Sequence, residues 1–273
     1  MSIADIYIKS SLHVSLAVVS FAIITGLELG IILPLSVLFF IFFSTVVSYN
    51  VTKYGWVFIQ SLSGRKARLN QILGITTLSA AGLAATVFML SIPELLLAIL
   101  LSILTASYAL PLPGDQINLR NRFGMKIFII ALVWTGATVW LPILTAARGT
   151  LIISDVAILS VQRFLFVVVL TLPFDIRDLS NDHPTLGTVP QLIGVKKTRL
   201  LGVILLTICV LLGLIIHSPS GEAFIILAII SILTGVLILR SMTSQSRWFA
   251  SFWVEGVPIL WALLLSGASI FLQ

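Results

Sequence analysis

The chain has 273 residues, of which 59% are hydrophobic and only 10% charged, a composition that excludes an ordinary soluble domain and points to a polytopic membrane protein. Its net charge of +6 would suggest nucleic acid as the partner of a soluble chain, but here the Lys and Arg lie in loops between apolar runs, where they set topology, and no nucleic-acid partner is expected. The single cysteine, Cys209, sits in an apolar run and leaves neither a disulfide framework nor a thiolate metal site.

In chain order, nine runs are long enough to cross about 30 Å of hydrocarbon: 11–24, 31–48, 72–90, 95–110, 127–147, 156–174, 200–216, 223–239 and 257–272. They predict a single integral membrane domain over 1–273. Lys9 precedes the first run and no small-residue cleavage site follows it, so that run is expected to stay as a helix. Long loops alternate with short turns. The loop 50–71 carries Lys53, Arg65, Lys66 and Arg68, and the loop 111–126 carries Arg120, Arg122 and Lys126. The loop 175–199 carries Arg177, Lys196, Lys197 and Arg199, and 240–256 carries Arg240 and Arg247. Every Lys and Arg except Arg148 and Arg163 therefore falls on one side. The positive-inside rule places the N-terminus and these loops in the cytoplasm and the C-terminus outside.

The chemistry concentrates after the sixth run. Asp175, Asp178 and Asp182 stand at i, i+3 and i+7, within about 60° of one another on a helix face. Three acids so placed repel unless a cation joins them, and a hard ion such as Mg²⁺ takes oxygen ligands while leaving room for phosphate. The plainer alternative is a solvated cap where the helix leaves the bilayer. Pro173 removes a backbone hydrogen bond just before the first acid and would bend the end of the span. Beyond the acids, 187–194 reads as a tight turn leading to Lys196, Lys197 and Arg199, which either neutralise a polyphosphate or anchor the next helix at lipid head groups. Arg163, deep in the sixth run, must face the bundle interior and find a carbonyl, an acid or a substrate carboxylate. His13 and His217 lack partners at metal-like spacing and read as structural. Trp56, Trp248 and Trp253 fit an interfacial belt, whereas Trp134 and Tyr108 either line a channel or simply pack.

The stretch from Asp175 to Asp182, with Gly187-Thr188-Val189-Pro190 and Gly194 beyond it, resembles the second aspartate motif of the UbiA superfamily of intramembrane prenyltransferases. Ser107-Tyr108, Leu119-Arg120-Asn121-Arg122-Phe123-Gly124-Met125-Lys126, Trp134 and Leu141-Pro142 are similar to that family's fourth loop and fifth helix. Phe252-Trp253-Val254-Glu255-Gly256 resembles the start of its last helix. The first motif departs from the pattern: Asn50 matches, but Val51, Tyr54 and Phe58 stand where the family has acids.

The resemblance implies an all-α helical bundle of nine transmembrane helices around a central cavity. It also implies Mg²⁺-assisted transfer of an isoprenoid from its diphosphate to a hydrophobic, aromatic or lipid acceptor. Asp175, Asp178 and Asp182 would be the catalytic and metal-binding residues, and Asn50, Lys53, Tyr108, Arg120, Lys126 and Lys196 would bind substrate. Two alternatives remain beside this expectation, a terpene-cyclase-like enzyme and a non-catalytic lipid-binding or accessory membrane protein of the same fold.

Overall fold

The structure is a computed structural model that describes residues 3–60, 67–110, 124–146 and 152–271, with the side chains of 56–60, 67, 68, 270 and 271 outside the description. A short helix α1 (Ile3–Lys9) leads into α2 (Leu12–Leu29), α3 (Leu35–Gln60), α4 (Ala67–Val87) and α5 (Ile92–Ala109). Next come α6 (Met125–Thr135), a π-helical turn (Gly136–Trp140) and α7 (Leu141–Thr145), which together form one span. The chain continues through α8 (Ile153–Asp178), α9 (Val189–Ile216), α10 (Glu222–Arg240), a second π-helical turn (Phe249–Val254) and α11 (Val257–Phe271).

Eight of these spans are long and apolar enough to cross a membrane. The expected third run, 72–90, falls on α4, a helix of 21 residues that packs against α3. Arg68, Asn70, Gln71, Thr76 and Thr77 interrupt the apolar run of α4, so among the described residues the nine expected spans become eight with α4 as a ninth helix beside them.

Local chemistry sets the helix starts. At α5 the Ser91 N–H donates to Glu94 Oε2 at 2.7 Å with Pro93 in the first turn, and at α9 the Thr188 N–H donates to Gln191 Oε1 at 3.0 Å. Both satisfy amides that a helix start leaves without intrahelical partners. Two boundaries move from where the apolar runs place them. The helix α3 continues past Ser48 to Gln60, and α9 begins at Val189, so Asn50, Lys53, Lys196 and Lys197 are helical residues and not loop residues. Near the start of α9, Gly194 takes φ +77° and breaks the regular helix at the expected turn.

Neighbouring helices follow a continuous path. The helix α4 packs on α3, α3 on α2, α2 on α11, α11 on α10, α10 on α9, α9 on α8, α8 on α6 and α6 on α5. At the centre, Phe21, Phe166 and Trp261 are fully buried and meet at ring-centroid distances of 5.1 to 6.1 Å, with Trp134 6.1 Å from Phe21. Aromatic groups at these separations bury large areas and add a modest directional term. The outer faces, by contrast, present Leu96, Leu100, Leu211, Ile215, Ile232 and Leu263, as a lipid-facing surface requires.

Arg163 meets the expectation that it faces inward. Its Nη1 donates to the Phe21 carbonyl at 2.9 Å, its Nη2 donates to Thr25 Oγ1 at 3.2 Å, and its guanidinium lies 4.2 Å from the Phe21 ring centroid. Glu28 Oε2 is 4.0 Å from Arg163 Nη2, and Glu28 Oε1 is 3.8 Å from His217 Nε2. His13, also read as structural, bridges Tyr7 Oη at 2.9 Å and the Phe252 carbonyl at 3.0 Å.

Candidate functional site

A cavity of about 250 Å³ lies between α3 on one side and α5, α6 and α7 on the other, with Val18 of α2 also at its wall. Its lining is mostly apolar, Phe40, Ile41, Leu101, Val133 and Leu141 among them, with polar groups on α3 and α5. The helical period explains the α3 contribution, since Thr45, Ser48, Tyr49, Thr52 and Lys53 recur at three- and four-residue intervals and share one face. Of the residues expected to contact substrate, Lys53 and Tyr108 line this cavity. Trp134 lines it too and donates from Nε1 to Tyr49 Oη at 3.1 Å, which fixes both rings at the wall. Large apolar walls with a few fixed polar groups are the usual makeup of a site for a hydrophobic ligand.

Beside the cavity is a charged cluster built by α6 and α8. Gly124, at φ +69°, donates its N–H to the Leu186 carbonyl at 2.9 Å and so ties the start of α6 to the loop after α8. Two residues on, Lys126 Nζ reaches Asp175 Oδ1 at 2.8 Å and lies 3.7 Å from Asp182 Oδ2. Asp178 pairs instead with its neighbour Arg177. Arg177 grips it with two bonds, Nε to Oδ1 at 2.7 Å and Nη2 to Oδ2 at 2.9 Å, and also donates to Ser251 Oγ at 3.2 Å. Asp175 is almost wholly buried, and a carboxylate so placed is costly without the cation that Lys126 supplies.

Tyr108 and Lys53 of the cavity wall interact electrostatically with the cluster. Tyr108 is within electrostatic reach of both Lys126 and Tyr49. Lys53 Nζ bonds to Ser11 Oγ at 3.1 Å, lies 5.2 Å from the Tyr49 ring centroid, and is within electrostatic reach of Glu255 and Arg177. Glu255 follows the second π-helical turn, and such turns re-aim the residues that come after them.

Other expected contacts fall elsewhere. Asn50 is fully buried outside the cavity wall, where its amide receives a bond from Ser11 Oγ at 2.8 Å and donates to the Ser10 carbonyl at 3.0 Å and Thr76 Oγ1 at 2.9 Å. With its hydrogen-bonding groups so engaged, Asn50 knots α2, α3 and α4 together and does not line the cavity. Lys196 is exposed on α9, where an anchoring role at head groups suits it. Arg120, Arg65, Lys66 and Arg122 lie outside the described residues.

The metal expectation meets a geometric obstacle. Carboxylates have the right donor chemistry for Mg²⁺. However, Lys126 stands between Asp175 and Asp182, Asp178 is held by Arg177, and no three ligating side chains converge among the described residues. On α3, Val51 is half exposed and Tyr54 donates to the Lys9 carbonyl at 3.1 Å, so neither brings an acid to the cavity. As arranged, these residues do not fit a divalent metal centre. The sequence spacing missed this because it lists the acids on α8 but not the cation arriving from α6. Ser11, Arg177 and Glu255 carry no site role in the sequence, Arg177 standing there as a loop cation and Glu255 as part of the last-helix resemblance. A lone acid in an apolar tract, as Glu255 is, was the available signal.

No protein-family model and no curated protein matches the sequence. Solved structures do match by fold. The chain is similar to the apo form of a UbiA homologue from Aeropyrum pernix K1, with TM-score 0.64 and 13% identity over 95% of this chain and 98% of that one. It is similar to a UbiA homologue from Archaeoglobus fulgidus bound to GPP and Mg²⁺, with TM-score 0.59 and 14% identity over 95% and 98% of the two chains. A digeranylgeranylglyceryl phosphate synthase matches with TM-score 0.58 and 16% identity over 98% of this chain and 96% of that one. This is therefore a multi-pass helical membrane protein. Its fold is that of the UbiA homologues, as the segment from Asp175 to Gly194 implied.

Proposed function

We propose that the chain is an intramembrane prenyltransferase that binds an isoprenoid diphosphate with its hydrocarbon chain in the cavity and its head at the charged cluster. The observation that carries this reading is Lys53, an ammonium in the wall of an apolar cavity, its Nζ held by Ser11 Oγ at 3.1 Å. An apolar chamber with an ammonium in its wall suits a molecule that is greasy at one end and multiply anionic at the other. In the reaction the allylic C–O bond breaks and its electron pair leaves with the diphosphate. The acceptor's nucleophilic atom then bonds the allylic carbon and gives up its proton.

In this scheme Lys53, Lys126 and Arg177 stabilise the charge that grows on the leaving group, the role that preorganised cations play at developing anions. Asp175, Asp178 and Asp182 hold two of those cations, Lys126 and Arg177, in place. The hydrophobic acceptor enters from the bilayer, and the charged face is the cytoplasmic one. The neighbour that binds GPP supports the substrate class, since GPP is itself an isoprenoid diphosphate.

A second reading, a non-catalytic lipid-binding protein, draws on the pairing of every acid in the trio with a cation. Purified protein given radiolabelled farnesyl or geranylgeranyl diphosphate and a membrane lipid extract separates the two. Diphosphate release that Asp175→Asn abolishes supports the enzyme, and retention of the intact diphosphate without release supports the binder.

A further inference from the structure

Where α3 would bring acids to the substrate if it followed the family's pattern, it brings an ammonium. Val51 is half exposed and outside the cavity lining and Tyr54 is tied to the Lys9 carbonyl, while Lys53 lines the cavity and is exposed. Carboxylates reach a phosphate only through a bridging cation, because like charges repel; an ammonium reaches it directly. Lys53 is also prepared for such a contact. Ser11 Oγ and the Tyr49 ring hold its head at the wall, and Arg177 and Glu255 lie within electrostatic reach. A phosphate arriving there replaces the neutral Ser11 hydroxyl with a charged partner, and charge-assisted bonds are roughly twice as strong as neutral ones.

On the α8 side Lys126 bonds Asp175 and lies 3.7 Å from Asp182, whose buried Oδ2 makes no hydrogen bond, and Arg177 holds Asp178. Among the described residues, neither half gathers three side chains that could ligate an ion. We infer that this site binds the phosphate head of an isoprenoid lipid through Lys53 directly, with no divalent ion bridging protein and phosphate. The inference rests on the prenyl diphosphate reading above and sets how the head group is recognised.

The test is equilibrium binding of a non-hydrolysable geranylgeranyl thiolodiphosphate to the full chain in detergent, in EDTA and in excess Mg²⁺, for the parent protein and for Lys53→Met and Lys53→Arg. The expected result is parental affinity that differs by less than about threefold between EDTA and Mg²⁺. Lys53→Met, which keeps the aliphatic stem, should weaken binding by about tenfold or more, and Lys53→Arg should restore most of it. Each variant is checked for an unfolding temperature matching the parent, and geranylgeraniol, which has no phosphate, should bind Lys53→Met and parent alike. Tenfold loss of parental affinity in EDTA, or unchanged affinity in Lys53→Met, overturns direct recognition while leaving the substrate class intact. Failure of the parent to bind the analogue in either condition removes the prenyl diphosphate reading, and this inference with it.

Discussion

Lys126 Nζ meets Asp175 Oδ1 at 2.8 Å, a contact that fastens the first turn of α6 to the last turn of α8. The Asp175 side chain is only 3% exposed, so its charge depends on that partner. Removing one member of a buried pair costs far more than removing both. Lys126→Met should therefore destabilise the protein by about 3 kcal/mol, and adding Asp175→Asn should recover a substantial part of the loss. Thermal unfolding of the two single variants and the double variant in detergent gives the coupling. Additive losses would show that the pair is not mutually dependent.

Ser11 joins α1 to α2 with φ +63°, a left-handed conformation that costs a non-glycine residue about 1 kcal/mol. Its hydroxyl also donates to buried Asn50 and receives Lys53. Ser11→Gly relieves the backbone but removes the hydroxyl, whereas Ser11→Ala loses the hydroxyl and keeps the strain. We expect Ser11→Ala to be less stable than Ser11→Gly by about 1 kcal/mol and both to fall below the parent, since an unpaired buried amide oxygen costs about 1–3 kcal/mol. Calorimetric unfolding that ranks Ser11→Ala above Ser11→Gly would contradict the role given to the backbone.

Arg163 and Glu28 form the corresponding buried pair away from the candidate site, both side chains 1% exposed and 4.0 Å apart. Arg163→Leu should lower stability by about 3–5 kcal/mol by stranding the Glu28 carboxylate, while the Phe21 carbonyl keeps its bond from Thr25 Oγ1. Glu28→Gln in that background should restore part of it. Protease resistance in detergent reads the order of the three proteins, and an Arg163→Leu variant as resistant as the parent would show that the guanidinium is dispensable.

Next to the cavity wall, a single methyl group at Gly136 tests the cavity's use. A Cβ added at Gly136, in the π-helical turn after α6, would lie 2.6 Å from Leu101 Cδ2, and Leu101 lines the cavity. Gly136→Ala must push Leu101 aside, and overpacking of this kind costs about 1–3 kcal/mol where nothing yields. If Leu101 yields into the cavity, affinity for a geranylgeranyl analogue should fall by about tenfold with little change in affinity for inorganic diphosphate. Competition binding with both ligands measures this. Equal affinity of variant and parent for the long-chain analogue would place the hydrocarbon elsewhere.

Much of this fold is written in the apolar runs. Each expected span corresponds to a helix, because a bilayer demands continuous apolar segments with all backbone groups paired internally. The ends were less legible. Polar residues such as Asn50 and Lys53 look like loop in a sequence, yet Asn50 stays helical because Ser11, Ser10 and Thr76 satisfy its amide from other helices. Spacing found the acids at 175, 178 and 182 but assigned them to one ion, whereas the fold divides them between Lys126 and Arg177. Those pairings join α6 to α8 and neighbouring residues within α8, and a side chain's rotamer is not encoded in its spacing.

The most direct measurement is a structure of the full chain with geranylgeranyl thiolodiphosphate bound in lipid nanodiscs. The account predicts the hydrocarbon between α3 and α5, against Leu101, Val133 and Trp134, with a phosphate oxygen within hydrogen-bonding distance of Lys53 Nζ. A ligand seated outside that cavity on the lipid-facing surface, with Lys53 still bonded to Ser11, would contradict it.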